Sequence, residues 1–256
     1  MEKLDSKIIA HRGASFDAPE NTLHAINLAW KQGIKKVEID VHLTLDNKII
    51  AFHDANTHKL TGTYLEVKNE TYETLSQLDV GHWKGILWKN TKIPTLEDVL
   101  ETIPKKGILV IEIKCNIDIV PILLNTIERT PQHTIEFISF DYNIVALIKK
   151  LQPKHKAIWL LDLDYNEETK KSTLSTNDYI TKAKKANLDG LNVWAGKTAD
   201  KLFIDTVKKN NLLVYTWTIN NLDTAKHFLH LNVDAITTDR PSWLLQQLEN
   251  KNNDRH

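Results

Sequence analysis

The chain contains a single cysteine, Cys115, in 256 residues. One thiol excludes an internal disulfide framework and suits a reducing compartment. An excess of charge is also missing, since 33 Lys and Arg balance 33 Asp and Glu. No whole-protein field therefore gathers nucleic acid or an anionic membrane. No stretch approaches the ~20 apolar residues of a membrane span. The opening "MEKLDSKIIAHRG" has no apolar run long enough for a signal peptide. The expectation is a cytoplasmic chain with no nucleic-acid partner and no stable membrane insertion. Internal repeats and low-complexity tracts are lacking as well, apart from the polar tail "NKNNDRH". Nothing in the sequence sets an oligomeric state. What is present is ordinary globular material, 41% hydrophobic and 26% charged, enough for a sizeable core.

Strand-like and helix-like segments alternate from end to end. "KIIAH" (Lys7–His11) reads as a strand, and "NTLHAINLAWKQG" reads as a helix capped by Asn21 or Thr22 and ended by Gly33. "KKVEIDVHL" is the next strand. Asp46-Asn47 marks a turn, and "KIIAFH" returns as a hairpin partner. Residues 54 to about 94 break the rhythm and read as an insertion. "PTLEDVLETI" resumes it, with Thr95 as N-cap and Asp98 three residues on. The strands "GILVIEIK", "TIEFISF", "HKAIWLL", "LDGLNVW", "LLVYTWTI" and "VDAITT" follow, with helical patterns between them. These include one over Asp118–Arg129, one with Ile144, Val145, Ile148 and Leu151 on its apolar face, and a last one opened by Pro241. Roughly eight βα units in this length predict a single-domain α/β protein, a (β/α)8 TIM barrel with a small insertion after the second strand. A doubly wound open sheet is the competing arrangement.

In a barrel both faces of a strand are covered, so a polar strand residue is costly unless it lies near an end. In "VEIDVHLT", Glu38 and Asp40 share one face and sit late in the strand, toward the mouth where barrel active sites lie. A solvated pair at a strand end is the alternative reading of this stretch alone. "LVIEIK" repeats the pattern with Glu112 and Lys114 on one face, for which a structural ion pair is the alternative reading. Three inward acids at one mouth repel one another, and a divalent cation relieves that repulsion. An all-oxygen ligand set favours Mg2+, Ca2+ or Mn2+ over zinc. His11 and His53 each close a strand at the same level and suggest an acid and a base. Arg12 offers a planar fork for phosphate oxygens, and Lys114 a second positive charge. Trp217 and Phe140 end strands, where pocket wall and barrel packing are both open readings. His42 reads as a lone polar residue of the core or mouth, and Cys115 as a small buried residue.

Taken together, "HRGASFDAPENT", "GIKKVEIDVHLTLDNKIIAFHD", "IPTLEDVL", "LVIEIK", "ISF", "YTWTIN" and "ITTDRP" resemble the glycerophosphodiester phosphodiesterase family, in order and over nearly the whole chain. "LTG" at Leu60–Gly62 is a weaker echo. Lys59 and Asn47 depart from the family's common Arg and turn glycine, away from the expected chemistry. The resemblance implies a TIM barrel with one divalent cation, Mg2+ or Ca2+, held by Glu38, Asp40 and Glu112. His11 and His53 would be the acid–base pair, with Arg12, Lys114 and Trp217 on a small phosphodiester substrate. The implied reaction converts a glycerophosphodiester and water into glycerol 3-phosphate and an alcohol. Lysophospholipase D action on a larger headgroup and a catalytically silent phosphate-binding barrel are the rival expectations.

Overall fold

The computed structural model describes residues 4–164 and 174–253. Its strands are β1 (Ile8–Ala10), β2 (Lys36–Leu43), β3 (Ile49–Ala51), β4 (Ile108–Ile113), β5 (Thr134–Ser139), β6 (Lys156–Leu161), β7 (Gly190–Trp194), β8 (Leu213–Trp217) and β9 (Ala235–Thr238). They follow the order β1-β9-β8-β7-β6-β5-β4-β2-β3, and β1 also pairs with β2, which closes the sheet on itself. Eight strands are parallel, and β3 is the antiparallel hairpin partner of β2, with Val41 opposite Ala51. The fold is thus a closed (β/α)8 barrel rather than an open sheet.

The helices are α1 (Leu23–Lys31), the short α2 (His58–Thr61) and α3 (Tyr72–Ser76), then α4 (Leu96–Glu101), α5 (Ile119–Glu128), α6 (Tyr142–Leu151), α7 (Thr176–Lys185), α8 (Lys201–Lys209), α9 (Leu222–His230) and α10 (Pro241–Asn253). Their starts are set by local hydrogen bonds. Thr95 and Asp98 cap α4 reciprocally, and Ser175 and Asp178 do the same for α7. Thr22 caps α1, while Asn21, at φ 56°, is turned to another task. Left-handed backbone falls mostly to asparagine: Asn187, Asn211 and Asn232 take it just after α7, α8 and α9. Asparagine tolerates this region because its short amide can bond locally.

Alternation along each strand splits the core. Val37, Ile39 and Val41 face outward into a cluster shared with α1, α4 and α5. The opposite face points into the barrel, where Ile9, Val110, Ile138, Ile158, Leu160, Tyr215 and Ala235 pack together. Each fully buried Ile or Leu is worth about 1.5–3 kcal/mol relative to exposure. Between β3 and α4 the chain forms α2, α3 and three 3-10 turns around their own small cluster, which includes Phe52, Leu60, Leu75 and Ile93. Leu151, expected on the buried face of α6, is 50% exposed because the helix ends there. No helix among the described residues is long and apolar enough to cross a membrane.

Candidate active site

The polar face of β2 does not meet water. Glu38 and Asp40 are buried inside the barrel, at 1% and 0% exposure. Asp40 stands directly opposite Glu112 on β4, so parallel pairing alone sets those two side by side. Glu38, Asp40 and Glu112 each bring a carboxylate oxygen within 4.8 Å of the others. His11 and Arg12 lie in the loop just after β1, and Lys114 lies one residue after β4. His53 falls two residues beyond β3, so both histidines sit on rim loops rather than on strands. His11, Arg12, Glu38, His53, Glu112, Lys114, Phe140 and Trp217 line one cavity of about 250 Å³. The structure therefore brings together every residue singled out for the site, with Asp40 just beneath.

The fixing contacts come from distant parts of the chain. The backbone N–H of Arg12 donates to Glu38 Oε2 at 2.8 Å, which the left-handed turn at Arg12 (φ 54°) makes possible. Asn21 Nδ2 donates to Asp40 Oδ2 at 2.8 Å, and the Asp40 N–H donates back to Asn21 Oδ1. The Arg12 guanidinium lies 3.0 Å from Asp40 and 2.7 Å from Glu20. Lys114 Nζ lies 3.2 Å from Asp40 Oδ1 and 2.5 Å from Glu112 Oε1. Gly13 closes the turn against α1, where a Cβ would meet the Ala25 backbone at 2.5 Å.

Three buried carboxylates face two cations here, and their acidities separate. Burial, then Asp40 and Glu112, push Glu38 well above the carboxylate range. Burial and Asp40 push Glu112 up to about 7. Burial also acts to raise Asp40, but Lys114 and Arg12 outweigh it and hold the group at about 2. Glu38 Oε1 is buried with no hydrogen-bond partner. Such a cluster has more negative charge than its neighbours balance, and its donors are all hard oxygens. It fits a divalent cation of the Mg2+ or Ca2+ type.

Each histidine is held by a carboxylate at Nδ1. His11 Nδ1 is 2.6 Å from Asp239 Oδ1, and His53 Nδ1 is 2.6 Å from Asp54 Oδ1. This pairing fixes the ring and leaves Nε2 as the nitrogen for chemistry at the cavity both rings line. Burial lowers His53, against the pull of Asp40. His42 is a support, its Nε2 3.0 Å from the His53 carbonyl oxygen. Asp239 is held in turn by Ser15 and Asn220, and its carboxyl sits at about 2 because the His11 and Asn220 contacts outweigh burial. Sequence reasoning missed Asp54, Asp239 and Asn21 as positioning groups. The adjacency in "HD" at 53–54 was a visible signal, whereas nothing local ties Asp239 to a ring 228 positions away. Cys115 is partly rather than fully buried.

Fold and site together define a closed α/β barrel with a carboxylate cluster and two carboxylate-held histidines at one cavity. The glycerophosphoryl diester phosphodiesterase family matches residues 11–242, and the chain belongs to that family of enzymes. It is 33% identical over 251 residues to YhdW of Bacillus subtilis (strain 168), covering 96% of this chain and 99% of that one. It is 31% identical over 248 residues to the glycerophosphodiester phosphodiesterase of Caldanaerobacter subterraneus subsp. tengcongensis, covering 94% and 97%. Among solved structures, it matches a phosphodiesterase of Oleispira antarctica in complex with the product sn-glycerol-3-phosphate. There the TM-score is 0.85 at 27% identity, covering 95% of this chain and 96% of that one.

Proposed function

We propose that this enzyme hydrolyses small glycerophosphodiesters to sn-glycerol 3-phosphate and an alcohol, with a divalent cation and a histidine pair. The observation that carries the reading is the excess of buried carboxylate at the mouth, beside two carboxylate-held histidines and two phosphate-sized cationic groups. Glu38, Asp40 and Glu112 are the residues that would hold the cation, Mg2+ or Ca2+. When bound, it neutralises phosphoryl oxygen charge and acidifies an attacking hydroxyl.

The side chains supply the rest. Arg12 and Lys114 orient the phosphodiester and offset charge that moves onto its oxygens in the transition state. One histidine, neutral at Nε2, takes the proton of the attacking oxygen as the new P–O bond forms. The other, protonated, gives its Nε2 proton to the alcohol oxygen as the old P–O bond breaks. Asp239 and Asp54 stabilise whichever ring carries the positive charge and keep Nδ1 protonated. Trp217 and Phe140, ring centroids 5.6 Å apart, form an aromatic wall of the same cavity, with Lys114 Nζ 5.9 Å from the Phe140 ring.

The test is metal-stripped protein titrated with Mg2+ or Ca2+ while glycerol 3-phosphate release is followed with glycerophosphocholine. Activity should rise from near zero to saturation, and full turnover in the stripped protein would contradict the reading. A second reading, lysophospholipase D action, draws support from a neighbouring cavity of about 620 Å³. It shares Lys114 with the first and is edged by Leu43, Leu45 and Tyr64. Comparing glycerophosphocholine with lysophosphatidylcholine separates the two.

A further inference from the structure

The insertion between β3 and α4 buries one small cluster and leaves a second group of apolar side chains outside it. Leu87 is 90% exposed and Ile86 71%, with Trp83 at 44% just before them. They sit on a tip made of two 3-10 turns, His82–Lys84 and Ile86–Trp88. The tip is not a frayed segment. Asp79 accepts from the N–H groups of Gly81, His82 and Asn90, at 3.0, 3.1 and 2.8 Å, and so ties its two ends together. The Trp83 indole N–H donates to the Val80 carbonyl oxygen, and the Trp88 ring meets His24 edge-on at 5.3 Å. Gly85 joins the two turns at φ 139°, a conformation that glycine takes without strain. The backbone is thus fixed while its two aliphatic side chains face water, which marks an interaction surface. The tip is also tied to the barrel mouth. Lys84 Nζ donates to the Ser15 carbonyl oxygen at 2.5 Å, Ser15 Oγ donates to Asp239 at 3.1 Å, and Asp239 holds His11. Phe16, next to Ser15, is 55% exposed, with the Arg240 guanidinium 4.4 Å from its ring.

Residues 80–94 carry Lys84, Lys89 and Lys92 and no acid. Asp17 and Glu20 lie near enough to offset Lys84, so the outward charge comes from Lys89 and Lys92, both exposed. Aliphatic side chains at a tip, tryptophan beside them and lysine around them suit a lipid–water boundary. The apolar groups enter the acyl layer, the indole sits at the headgroup level, and the lysine heads stay in water. A second copy docking through the same surface would instead set lysine against lysine. We propose that this tip docks the barrel mouth on the surface of an anionic phospholipid bilayer, with Ile86 and Leu87 inserted and Lys89 and Lys92 at the headgroups. Docking of this kind is peripheral and needs no spanning helix. It concerns a surface outside the cavity and so stands apart from the hydrolytic reading.

The experiment is co-sedimentation of the full chain with vesicles of phosphatidylcholine and phosphatidylglycerol in equal parts, against vesicles of phosphatidylcholine alone. The wild type should bind the mixed vesicles at least about tenfold more tightly than the neutral ones. Ile86→Ser combined with Leu87→Ser should weaken that binding by at least about tenfold, since burial of even one such side chain is worth that factor. Lys89→Glu should weaken it by about fivefold, an effect that added salt diminishes. Both variants should keep wild-type turnover of glycerophosphocholine, which also checks their folding. If the double variant fails to fold, Lys89→Glu tests the same surface by itself. A wild type that stays in solution with both vesicles overturns the proposal and leaves the hydrolytic reading standing. Undiminished binding by the folded variants overturns it too, by placing the contact on another face. Equal affinity for neutral vesicles overturns the choice of an anionic surface. Sedimentation velocity supplies the last arm: a wild-type dimer that the double variant loses would give the tip to a second copy and overturn the lipid assignment.

Discussion

At the base of the barrel Glu136 lies between Lys36 and Lys156, at 3.2 and 3.1 Å, and accepts from the Tyr215 hydroxyl at 3.0 Å. At the mouth, one layer above, Glu38 and Glu112 crowd Asp40 with only Arg12 and Lys114 to offset them. Glu136, like Glu38 and Glu112, is a buried glutamate on a parallel strand of the barrel. Burial acts to raise Glu136 too, yet Lys36 and Lys156 bring it below its ordinary value, whereas Glu38 and Glu112 are pushed above theirs. The base is a closed network that needs nothing further. The mouth is an open one, with unbalanced charge and a partnerless oxygen on Glu38. Burial of charge is common to both, so burial alone does not mark a functional site, and incomplete compensation does.

Removing a carboxylate should therefore have opposite consequences at the two ends. Glu38→Gln is expected to lose activity by about a thousandfold. It should weaken cation affinity while leaving the metal-free melting temperature equal or higher, because a repelling charge is gone. Intact metal affinity in that variant would take Glu38 out of the ligand set. Glu136→Gln should instead leave Lys36 buried without its counter-charge and destabilise the fold by about 3 kcal/mol, read by urea denaturation. An unchanged midpoint there would mean that the base is no tighter than the mouth.

His11→Ala and His53→Ala should each fold normally and lose at least about a hundredfold in turnover. Asp239→Asn acts only through the His11 ring, so a smaller loss, about tenfold, is expected. Near-normal turnover in the His11 variant would leave Asp239 without a role.

The smallest effect is on stability against pH in metal-free protein. The folded-state pKa of Glu112 is about 7 against an ordinary 4.5, so the folded form binds that proton more tightly than the unfolded chain does. The contribution of Glu112 thus grows as pH falls through 7 and is fully present below 4.5, while burial lowers His42 and His53, whose contributions run the other way as pH falls through their ordinary 6.5. Glu136 runs the other way: its contribution is complete above its ordinary 4.5 and fades as pH drops below that. The melting-temperature gap between Glu112→Gln and wild type should therefore close by a few degrees as pH drops from neutral to mildly acidic. Saturating Mg2+ should flatten that pH dependence, since the bound form keeps the carboxylates ionised. A curve unchanged by Mg2+ would break the contrast between mouth and base.

Much of this was legible in the sequence. Apolar strand runs broken by acids on one face are a strong local signal, and Glu38, Asp40 and Glu112 follow from it. Glu112 is late in β4 as expected, whereas β2 runs on to Leu43 to pair with β3, so Glu38 and Asp40 fall in its middle rather than near its end. The base cluster escaped notice because Lys36 and Glu136 sit 100 residues apart and each looks like an ordinary strand-edge charge. The choice between Asn21 and Thr22 as helix cap was also beyond local reasoning. Both residue types cap well, and Asn21 is withdrawn from that role by Asp40, which its amide holds.

Periodicity by itself determined the strands and helices and which strand face carries the acids, because those follow from neighbours a few residues apart. Closure between β1 and β2, the meeting of Asp40 with Glu112, the Asp239 contact to His11 and the imbalance of charge at the mouth were decided by the tertiary structure. Each depends on distances between groups far apart along the chain and on how completely water is excluded between them, which no local pattern of residues encodes.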